Sequence, residues 1–216
     1  MPAKTRRNRR AGNAKGGPAP SRRDEILEVA ASVFAEKGFV SATVRDIGDV
    51  AGILSGSLYH HFESKEAMLE ELLRPFLAEL VDSYRAAVAA APDPPDQLRN
   101  LIRRVYEIVA RRRTMITILQ NDRVYLRTHP RFSFVGDAEN EVRSLWLEVI
   151  ERGCREGWFD RDLDPRLVYR TIMGAALAAV RWWNASSDAE LDELVEHQAR
   201  FYLHGMAGEK VRAVGG

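Results

Sequence analysis

The most informative absences in this 216-residue sequence are those of disulfides, apolar spans and secretion signals. Cys154 is the single cysteine, so an intramolecular disulfide is excluded, and we expect its thiol to be a small buried group. No run of about 18 residues is free of charge, as a transmembrane helix would require. The N-terminal segment also lacks the apolar stretch of a secretory signal. Together these absences predict a cytoplasmic protein that has no membrane partner.

The sequence also lacks the motifs of the common enzyme families. It has no G-x-S-x-G, P-loop, Rossmann glycine fingerprint or H-E-x-x-H. Asp160, Asp162 and Asp164 alternate as at the start of a calcium loop, but the glycine and the terminal glutamate of such a loop are missing. Pro165 is instead suited to the first turn of a helix. We therefore expect neither an enzyme nor a bound metal or cofactor.

Sustained alternation of β-branched and polar residues is missing too, and no internal repeat is present. Apolar residues instead recur every three or four positions from Ser21 onward, which predicts an all-α protein of about nine helices. A helix from Ser64 to about Ala90 contains Pro75, at which we expect a kink or a brief break. Later helices are predicted near residues 96–112, 114–127, 134–157, 164–184 and 188–207.

Charge is unevenly distributed along the chain, although the net charge is only +1. Residues 1–23 contain eight lysines and arginines and no acid, so the remainder carries a net charge of −7. Residues 1–20 are also poor in bulky apolar side chains, so we expect a disordered basic arm. Such an arm favours a nucleic-acid partner, because phosphate contacts supply most non-specific affinity. A merely solubilising tail is the alternative.

Two short helices separated by a tight turn follow the first helix, and this arrangement predicts a helix-turn-helix in residues 21–70. Thr43 can cap the first helix of the pair, on which Val50 is expected to face inward. The turn is centred on Gly52, and the second helix is expected to run from Leu54 to His61. In a helix-turn-helix this second helix enters the major groove of DNA and presents its N-terminal residues to the bases.

The segment TVRDIGDVAGILSGSLYHHFESKEAML resembles the DNA-binding core of the TetR family, for which T-x-x-x-I-A-x-x-A-G-V-S-x-G-x-x-Y-x-H-F-x-x-K-E-x-L is typical. The match spans residues 43–69 and extends back through EILEVAASVFAEKGF, so it is far more specific than a generic helix-turn-helix pattern. Two residues depart from it. Gly48 replaces an alanine, which should cost up to about 1 kcal/mol of helix stability. Leu54 replaces a serine that would cap the helix and bind a phosphate.

The resemblance implies a DNA-binding regulator that acts as a homodimer on a palindromic, double-stranded operator. Carried over by position, the phosphate-contacting residues are Thr43, Tyr59, His60, His61 and Lys65. The base-reading residues are Arg45, Ser55, Gly56 and Ser57.

Two of these positions have alternatives that the sequence leaves open. Arg45 is the strongest candidate for reading guanine, because its guanidinium can bond O6 and N7 together. The alternative for Arg45 is a solvated position paired with Asp49. His60 and His61 could suggest a metal pair, but neighbouring side chains on a helix diverge by about 100° and are poorly placed to share an ion.

The resemblance further implies that residues 71–210 form a ligand-binding and dimerisation domain, whose last two helices build a four-helix bundle with a partner. The small residues of the penultimate helix support this because they allow close approach, while Trp182 and Trp183 supply large apolar anchors. These small residues are Gly174, Ala175, Ala178 and Ala179. The final-helix residues expected to pack on the partner are Leu191, Leu194, Val195, Phe201 and Tyr202. An intramolecular core helix is the alternative.

Candidate ligand contacts in this domain combine apolar, aromatic and polar side chains. They are Met115, Leu119, Asn121, Tyr125, Trp146, Ile150, Met173, Leu177 and Arg181. Ordinary core packing is the alternative for most of the apolar members. Asp122 is informative for another reason, since a buried charge must be paired or meet a ligand.

Within the family, three segments look like the actinobacterial regulators of steroid catabolism. They are RDIGDVAGILSGSLYHHFESKEAM, RFSFVGDAENEVRSLWLEVIERGCREGWFDRDLD and LVYRTI…VRWW. That resemblance implies a repressor of steroid or acyl-CoA catabolism genes that is released by a coenzyme A thioester or a similar hydrophobic ligand. A regulator of efflux or of other metabolism, with a different inducer, is one alternative. An architectural DNA-binding protein dominated by its basic arm is another.

Overall fold

A computed structural model describes residues 21–184 and 187–207, and within these residues the chain is helical and contains no strand. This confirms the all-α prediction. The α-helices of the described residues are α1 (Arg22–Lys37), α2 (Val44–Ala51), α3 (Ser55–Leu58), α4 (Lys65–Ala89), α5 (Pro94–Arg111), α6 (Arg113–Asn121), α7 (Arg123–Thr128), α8 (Ser133–Arg155), α9 (Pro165–Trp182) and α10 (Asp188–Gly205). A 3-10 turn, Pro130–Phe132, precedes α8. The basic arm predicted for residues 1–20 lies outside the described residues.

Helices α1 to α3 form a small unit, here called the head, whose helix starts are fixed by their own side chains. Ser21 caps α1 and Thr43 caps α2. In both cases an aspartate three residues later accepts a hydrogen bond from the cap backbone, which satisfies N–H groups that would otherwise lack partners. Phe34, Ile47 and Leu58 are buried between the three helices, so the caps and the core specify the same arrangement.

The second helix of the helix-turn-helix is shorter than the sequence predicts. Instead of continuing to His61, α3 ends at Leu58, and residues 59–61 form turns. The N–H group of His61 donates to the Leu58 carbonyl three residues back, at 3.0 Å, which tightens the backbone beyond the helix. Phe62 is buried directly after this turn, so the tightening carries its ring into the core.

Helix α4, 25 residues long, continues through Pro75, so of the expected kink or brief break the break is absent. Proline removes one backbone hydrogen bond, but the side chains on both sides of it are held in the core. Leu73 and Phe76, its near neighbours, are buried, as are Leu69 and Leu77. Tertiary packing therefore keeps the helix intact where local propensity favours an interruption.

The helix predicted for residues 114–127 is divided into α6 and α7. The division falls at Asp122, whose backbone leaves the helical conformation with φ −106° and ψ 19°. Asp122 is one of the few buried polar or charged residues among those that the structure describes, with 6% of its surface exposed. Its side chain is engaged by another part of the chain, so the interruption has a tertiary cause.

The rest of the chain, here called the body, is built around α4, α5, α8 and α9, and α10 packs on α5. Trp146 of α8 lies fully buried at the centre of the body. Tyr84 of α4 and Tyr169 of α9 pack on its ring, with centroid separations of 6.2 and 6.1 Å. None of the described helices combines the length and apolar character needed to cross a membrane.

The orientation of α10 corrects part of the predicted dimer contact. Leu191, Val195 and Tyr202 are buried within their own chain rather than presented to a partner. Burial of this apolar face against α5 holds α10 in its orientation, and exposed ion pairs such as Arg99 with Glu196, at 2.9 Å, border the contact. The apolar residue of α10 that stays exposed is Phe201, and Leu194 is half-buried.

Gly48 has a packing role that the helix-propensity estimate omitted. A methyl group on Gly48 would lie 2.8 Å from the carbonyl oxygen of Ile53, closer than a carbon atom can approach. We therefore expect Gly48→Ala to lower the free energy of unfolding by about 1–3 kcal/mol, because overpacking against backbone outweighs the gain in helix propensity.

Gly136 in α8 provides the matched control, since nothing lies within 4 Å of a methyl group built there. Gly136→Ala should raise the free energy of unfolding by up to about 1 kcal/mol. Urea denaturation of both variants measures the two effects. A Gly48→Ala protein as stable as the Gly136→Ala protein would contradict the close approach.

Candidate functional site

The surface of the head formed by α2, α3 and the turn after α3 carries most of the predicted DNA-contacting residues. The exposed members of this set are Arg45, Gly56, Tyr59, His60 and His61. Ser55 and Ser57 are partly exposed. The Arg45 side chain is 85% exposed and its nearest acidic partner, Asp49, lies 3.9 Å away. An exposed pair at this distance holds the guanidinium weakly, so Arg45 is free to reach a ligand.

Thr43 has a structural role at the start of α2 in addition to its predicted phosphate contact. Its hydroxyl donates to Asp46 at 2.7 Å and accepts from the Asp46 backbone at 3.1 Å. Lys37 donates to the same carboxylate at 2.6 Å. The Lys37 ammonium first, and then the Thr43 hydrogen bonds, hold the pKa of Asp46 well below its usual range. The start of the helix-turn-helix therefore keeps a charged cap at neutral pH.

Lys65 lies at the start of α4, but its ammonium is directed at the loop between α1 and α2. Nζ donates to the carbonyl oxygens of Phe39 and Ala42, at 2.7 Å each, and lies 4.3 Å from the centre of the Phe39 ring. These contacts use its donors within the protein. The phosphate contact predicted for Lys65 stays a prediction, and the structure shows that the residue also holds the loop.

The surface formed by α2 and the start of α3 includes exposed apolar side chains. Leu54, which takes the place of the family's serine, is 81% exposed and forms no side-chain cap on α3. Val50 is 65% exposed, so the prediction that it faces inward is wrong. Val50 lies near the end of a short helix whose buried face is already occupied by Ile47 and Gly48. The surface beside Arg45 is therefore less polar than the sequence suggested.

The Asp122 carboxylate joins the body to the head. Oδ2 accepts a hydrogen bond from the backbone N–H of Phe39 at 2.8 Å, and Oδ1 accepts from that of Val40 at 3.4 Å. These two residues follow Gly38, whose positive φ of 78° ends α1. The sequence identified Asp122 as a charge needing a partner, and the partner is the backbone of the head.

Lys65 and Asp122 bind complementary groups of one short segment, residues 38–42, which we call the head loop. The lysine takes backbone carbonyls of the head loop, and the aspartate takes backbone N–H groups. Tyr125 of α7 packs its ring on Phe39, with centroids 5.2 Å apart. A loop between helices thus has both its donors and its acceptors bound by side chains from other elements.

Charged side chains form a second connection between α4 and the segment before α8. Glu70 accepts from Arg74 at 2.5 Å and from Arg131 at 2.6 Å. These two arginines lower the pKa of Glu70. They line a polar cleft of about 550 Å³ that also includes Arg23 and His61, so His61 lies beside the connection between head and body.

The nine predicted ligand contacts fall into separate groups. Trp146 and Ile150 are fully buried on α8. Met115 and Leu119 of α6, like Met173 and Leu177 of α9, are partly buried, and Gln120 of α6 donates to the Leu177 carbonyl at 3.2 Å. These six residues therefore belong to the packed interior of the body and to the seam between α6 and α9.

The other three candidates lie elsewhere. Asn121 is exposed and donates to the Ala35 carbonyl of α1 at 3.4 Å. Tyr125 belongs to the aromatic contact with the head loop, and Arg181 is exposed on the last turn of α9. Sequence spacing alone could not separate these positions, because Asn121 and Tyr125 are on helices that also contribute to the interior. Ligand binding by all nine stays a prediction.

The head and the body both match known family models. Residues 26–72 match the model of bacterial regulatory proteins of the tetR family, and residues 91–206 match the tetracyclin repressor-like C-terminal domain. The chain therefore belongs to the TetR family of DNA-binding transcriptional regulators. Its relatives are regulators and not enzymes, as the sequence predicted.

Among individual proteins, the chain is similar to the HTH-type transcriptional repressor KstR2. The Mycobacterium tuberculosis protein is 40% identical over 195 residues, which cover 90% of this chain and 98% of the relative. The Rhodococcus jostii protein is 40% identical over 186 residues, covering 86% and 91%. A solved structure, described as the ketosteroid transcriptional regulator KstR2 of Mycobacterium tuberculosis, has a TM-score of 0.82 and covers 89% of this chain and 98% of its own. The resemblance drawn from the motifs is thus confirmed.

The contact between Asp122 and the head loop can be tested without DNA. Asp122→Asn replaces one acceptor oxygen by an N–H donor that faces backbone N–H groups. We expect the free energy of unfolding to fall by about 1–3 kcal/mol, because a buried donor loses its partner. Asp162→Asn, at an exposed position, should change it by no more than about 0.5 kcal/mol. Equal stability of the two variants in urea would show that the contact contributes nothing.

Proposed function

We propose that this protein is a transcriptional repressor that binds a palindromic operator as a homodimer and leaves it when a hydrophobic effector binds the body. The observation that supports this most is the 40% identity with the repressor KstR2 across nearly the whole length of both chains. Residues 21–70 are the DNA-binding domain in this proposal, and residues 71–210 bind the effector and the second subunit.

In the DNA complex, the exposed surface of α2 and α3 faces the major groove. Arg45 and the segment from Ser55 to Ser57 read the base edges, and Tyr59, His60 and His61 contact phosphates. Thr43 and Lys65 reach the backbone from positions where they also fix the start of α2 and the head loop. The arm of residues 1–20 adds contacts that do not depend on sequence.

The exposed face of α9 supports a contact between two copies of the chain. Leu167 and Trp182 at its two ends are 59% and 65% exposed, large apolar surfaces that a partner would cover. Gly174 and Ala178 lie exposed between them, and open space surrounds the position of a methyl group on Gly174. Phe201 of α10 is 66% exposed and is a further large apolar side chain that a partner would cover.

The effector we propose is a steroid-derived or acyl-CoA-type molecule, because the relatives with the highest identity described above are KstR2 repressors and one of their structures is named as a ketosteroid regulator. The part of α9 that adjoins α6 is apolar, with Met173 and Leu177 partly buried. This favours the steroid or acyl portion as the recognised group. A regulator with an unrelated inducer is the alternative, and the choice of effectors in the experiment below decides between them.

An effector lowers operator affinity only if it binds more tightly to the conformation that does not fit DNA. The Asp122 hydrogen bonds connect the body directly to the head, so movement of the α6–α7 junction displaces the backbone of the head loop. Effector binding near α6 and α9 therefore changes the orientation of the head through a defined pair of hydrogen bonds.

Dimerisation through α9 can be tested by placing a charge in its exposed face. Ala178→Arg should convert the dimer into a monomer in sedimentation velocity and weaken operator binding at least about 10-fold, because one head alone contacts a single half-site. Ala89→Arg adds the same side chain at an exposed position of α4 and should change neither property. A dimeric Ala178→Arg protein would place the interface elsewhere.

Effector release can be tested with an operator selected from random DNA by the purified protein. Fluorescence anisotropy is measured with a steroid-derived coenzyme A thioester, a ketosteroid, a medium-chain acyl-CoA and coenzyme A alone. At least one of the first three should raise the operator Kd about 10-fold or more, a coupling of about 1.4 kcal/mol.

Coenzyme A alone is the control for binding through the nucleotide portion. Binding of a random DNA fragment, measured in parallel, separates loss of specific recognition from a general salt or solvent effect. Operator affinity that stays constant under saturating amounts of all three molecules would contradict effector-controlled repression by this class of ligand.

A further inference from the structure

Leu54 is the most exposed of the large apolar side chains that the structure describes, with 81% of its surface accessible. It occupies the residue before α3 begins and makes no side-chain hydrogen bond to the start of that helix. Leucine is also among the residues least suited to this cap position. Neither packing nor capping therefore accounts for a leucine here, and a position that breaks both rules is where a functional contact is expected.

The backbone on both sides of Leu54 is fixed. The N–H group of Ile53 donates to the Gly48 carbonyl at 3.0 Å, and the Leu54 carbonyl accepts from the Ser57 N–H group at 2.8 Å. The close approach of Gly48 to the Ile53 carbonyl holds the end of α2 directly against the start of α3. The Leu54 side chain thus projects from a rigid turn, so a contact with it requires little ordering of the backbone.

The neighbours of Leu54 on α3 do not compete for the outward position. The Ser55 hydroxyl oxygen lies 3.5 Å from the place of a methyl group on Gly48, so this side chain is turned toward α2. Gly56 has no side chain, and open space surrounds the position that a methyl group would take there. Of residues 54–58, Leu54 alone presents a large exposed side chain.

The partner of this surface is DNA, because residues 26–72 belong to a family of DNA-binding regulators and the first residues of the second helix of a helix-turn-helix approach the base edges. The major groove presents hydrogen-bond donors and acceptors together with one apolar group, the C5-methyl of thymine. Leucine cannot bond the donors and acceptors, and it would displace their water without replacing it. A side chain of this chemistry therefore favours thymine and disfavours the other bases.

We propose that Leu54 determines part of the operator sequence by packing on a thymine C5-methyl group in each half-site. The inference rests on the proposed function for the surface that faces DNA, and it adds the base that one residue of this surface selects. Arg45, on the neighbouring α2, supplies the complementary hydrogen-bonding contact. A half-site thus combines a base pair that Arg45 reads by hydrogen bonds with a thymine that Leu54 reads by its methyl group.

Deoxyuridine tests this contact, because it lacks only the C5-methyl of thymine and keeps the hydrogen-bonding groups. In an operator selected from random DNA by the purified protein, each thymine of a half-site is replaced in turn, together with its symmetric copy. At one of these positions the replacement should raise the operator Kd about 15-fold in fluorescence anisotropy. This is about 4-fold for one buried methyl group in each half-site.

Two variants of Leu54 connect the effect to this side chain. Leu54→Ala should bind the thymine and deoxyuridine operators with Kd values within about 2-fold of each other, because the contact with the methyl group is gone. Leu54→Met keeps an apolar side chain of similar length and should retain most of the discrimination. Both variants should keep the Tm of the wild type, since the side chain is exposed and caps nothing.

Val124→Ala is the matched control, because Val124 is a 78% exposed apolar residue of α7, in the body. This variant should keep the wild-type preference for thymine over deoxyuridine. The proposal is overturned by a selected half-site without thymine, by deoxyuridine that has no effect at any position, or by an effect that persists in Leu54→Ala.

Arg45→Ala separates this inference from the proposed function. It should raise the Kd of both operators at least about 10-fold and leave their ratio unchanged, because it removes a different base contact. Weaker binding by Arg45→Ala without any deoxyuridine effect would support the proposed DNA-reading surface and overturn the role of Leu54. Unchanged operator affinity in both Arg45→Ala and Leu54→Ala would contradict the surface itself.

Discussion

The buried Asp122 carboxylate is the interaction on which the arrangement of the chain depends. A charge in the interior is stable only with hydrogen-bond partners, and this one takes two backbone N–H groups of the head loop. The same interaction accounts for the break between α6 and α7, because Asp122 lies between these helices. It also explains why α1 ends at Gly38, since a left-handed glycine turns the next N–H groups toward the body.

Lys65 balances this interaction from the other side. Its ammonium binds carbonyl oxygens of the head loop, and Asp122 binds N–H groups of the same loop, so a cation from α4 and an anion from the body hold this loop together. A loop held in this way resists small displacements as a unit. In the proposed function, a change in the body would therefore reach α2 and α3 as a shift of the whole head loop.

The features that the sequence predicted correctly are local ones. Ser21 and Thr43 cap their helices because a cap needs only residues within one turn, and the head motif is read from spacing in the same way. The wrong predictions concern where helices end or break and which way their side chains face. Val50 is apolar but has no neighbour to cover it, and Leu191 is buried in its own chain because α10 packs on α5. No pattern within one helix contains this information.

The uninterrupted length of α4 has a mechanical consequence. Tyr84, beside the central tryptophan, and Lys65, at the head loop, are on the same continuous helix and 19 positions apart, about 28 Å at the rise of an α-helix. A tilt of about 5° around the Tyr84 end moves the Lys65 end by about 2.4 Å. Hydrogen bonds to base edges tolerate only a few tenths of an ångström. In the proposed function, α4 would act as a lever, because a rearrangement too small to disturb the core would misalign the residues proposed to read DNA.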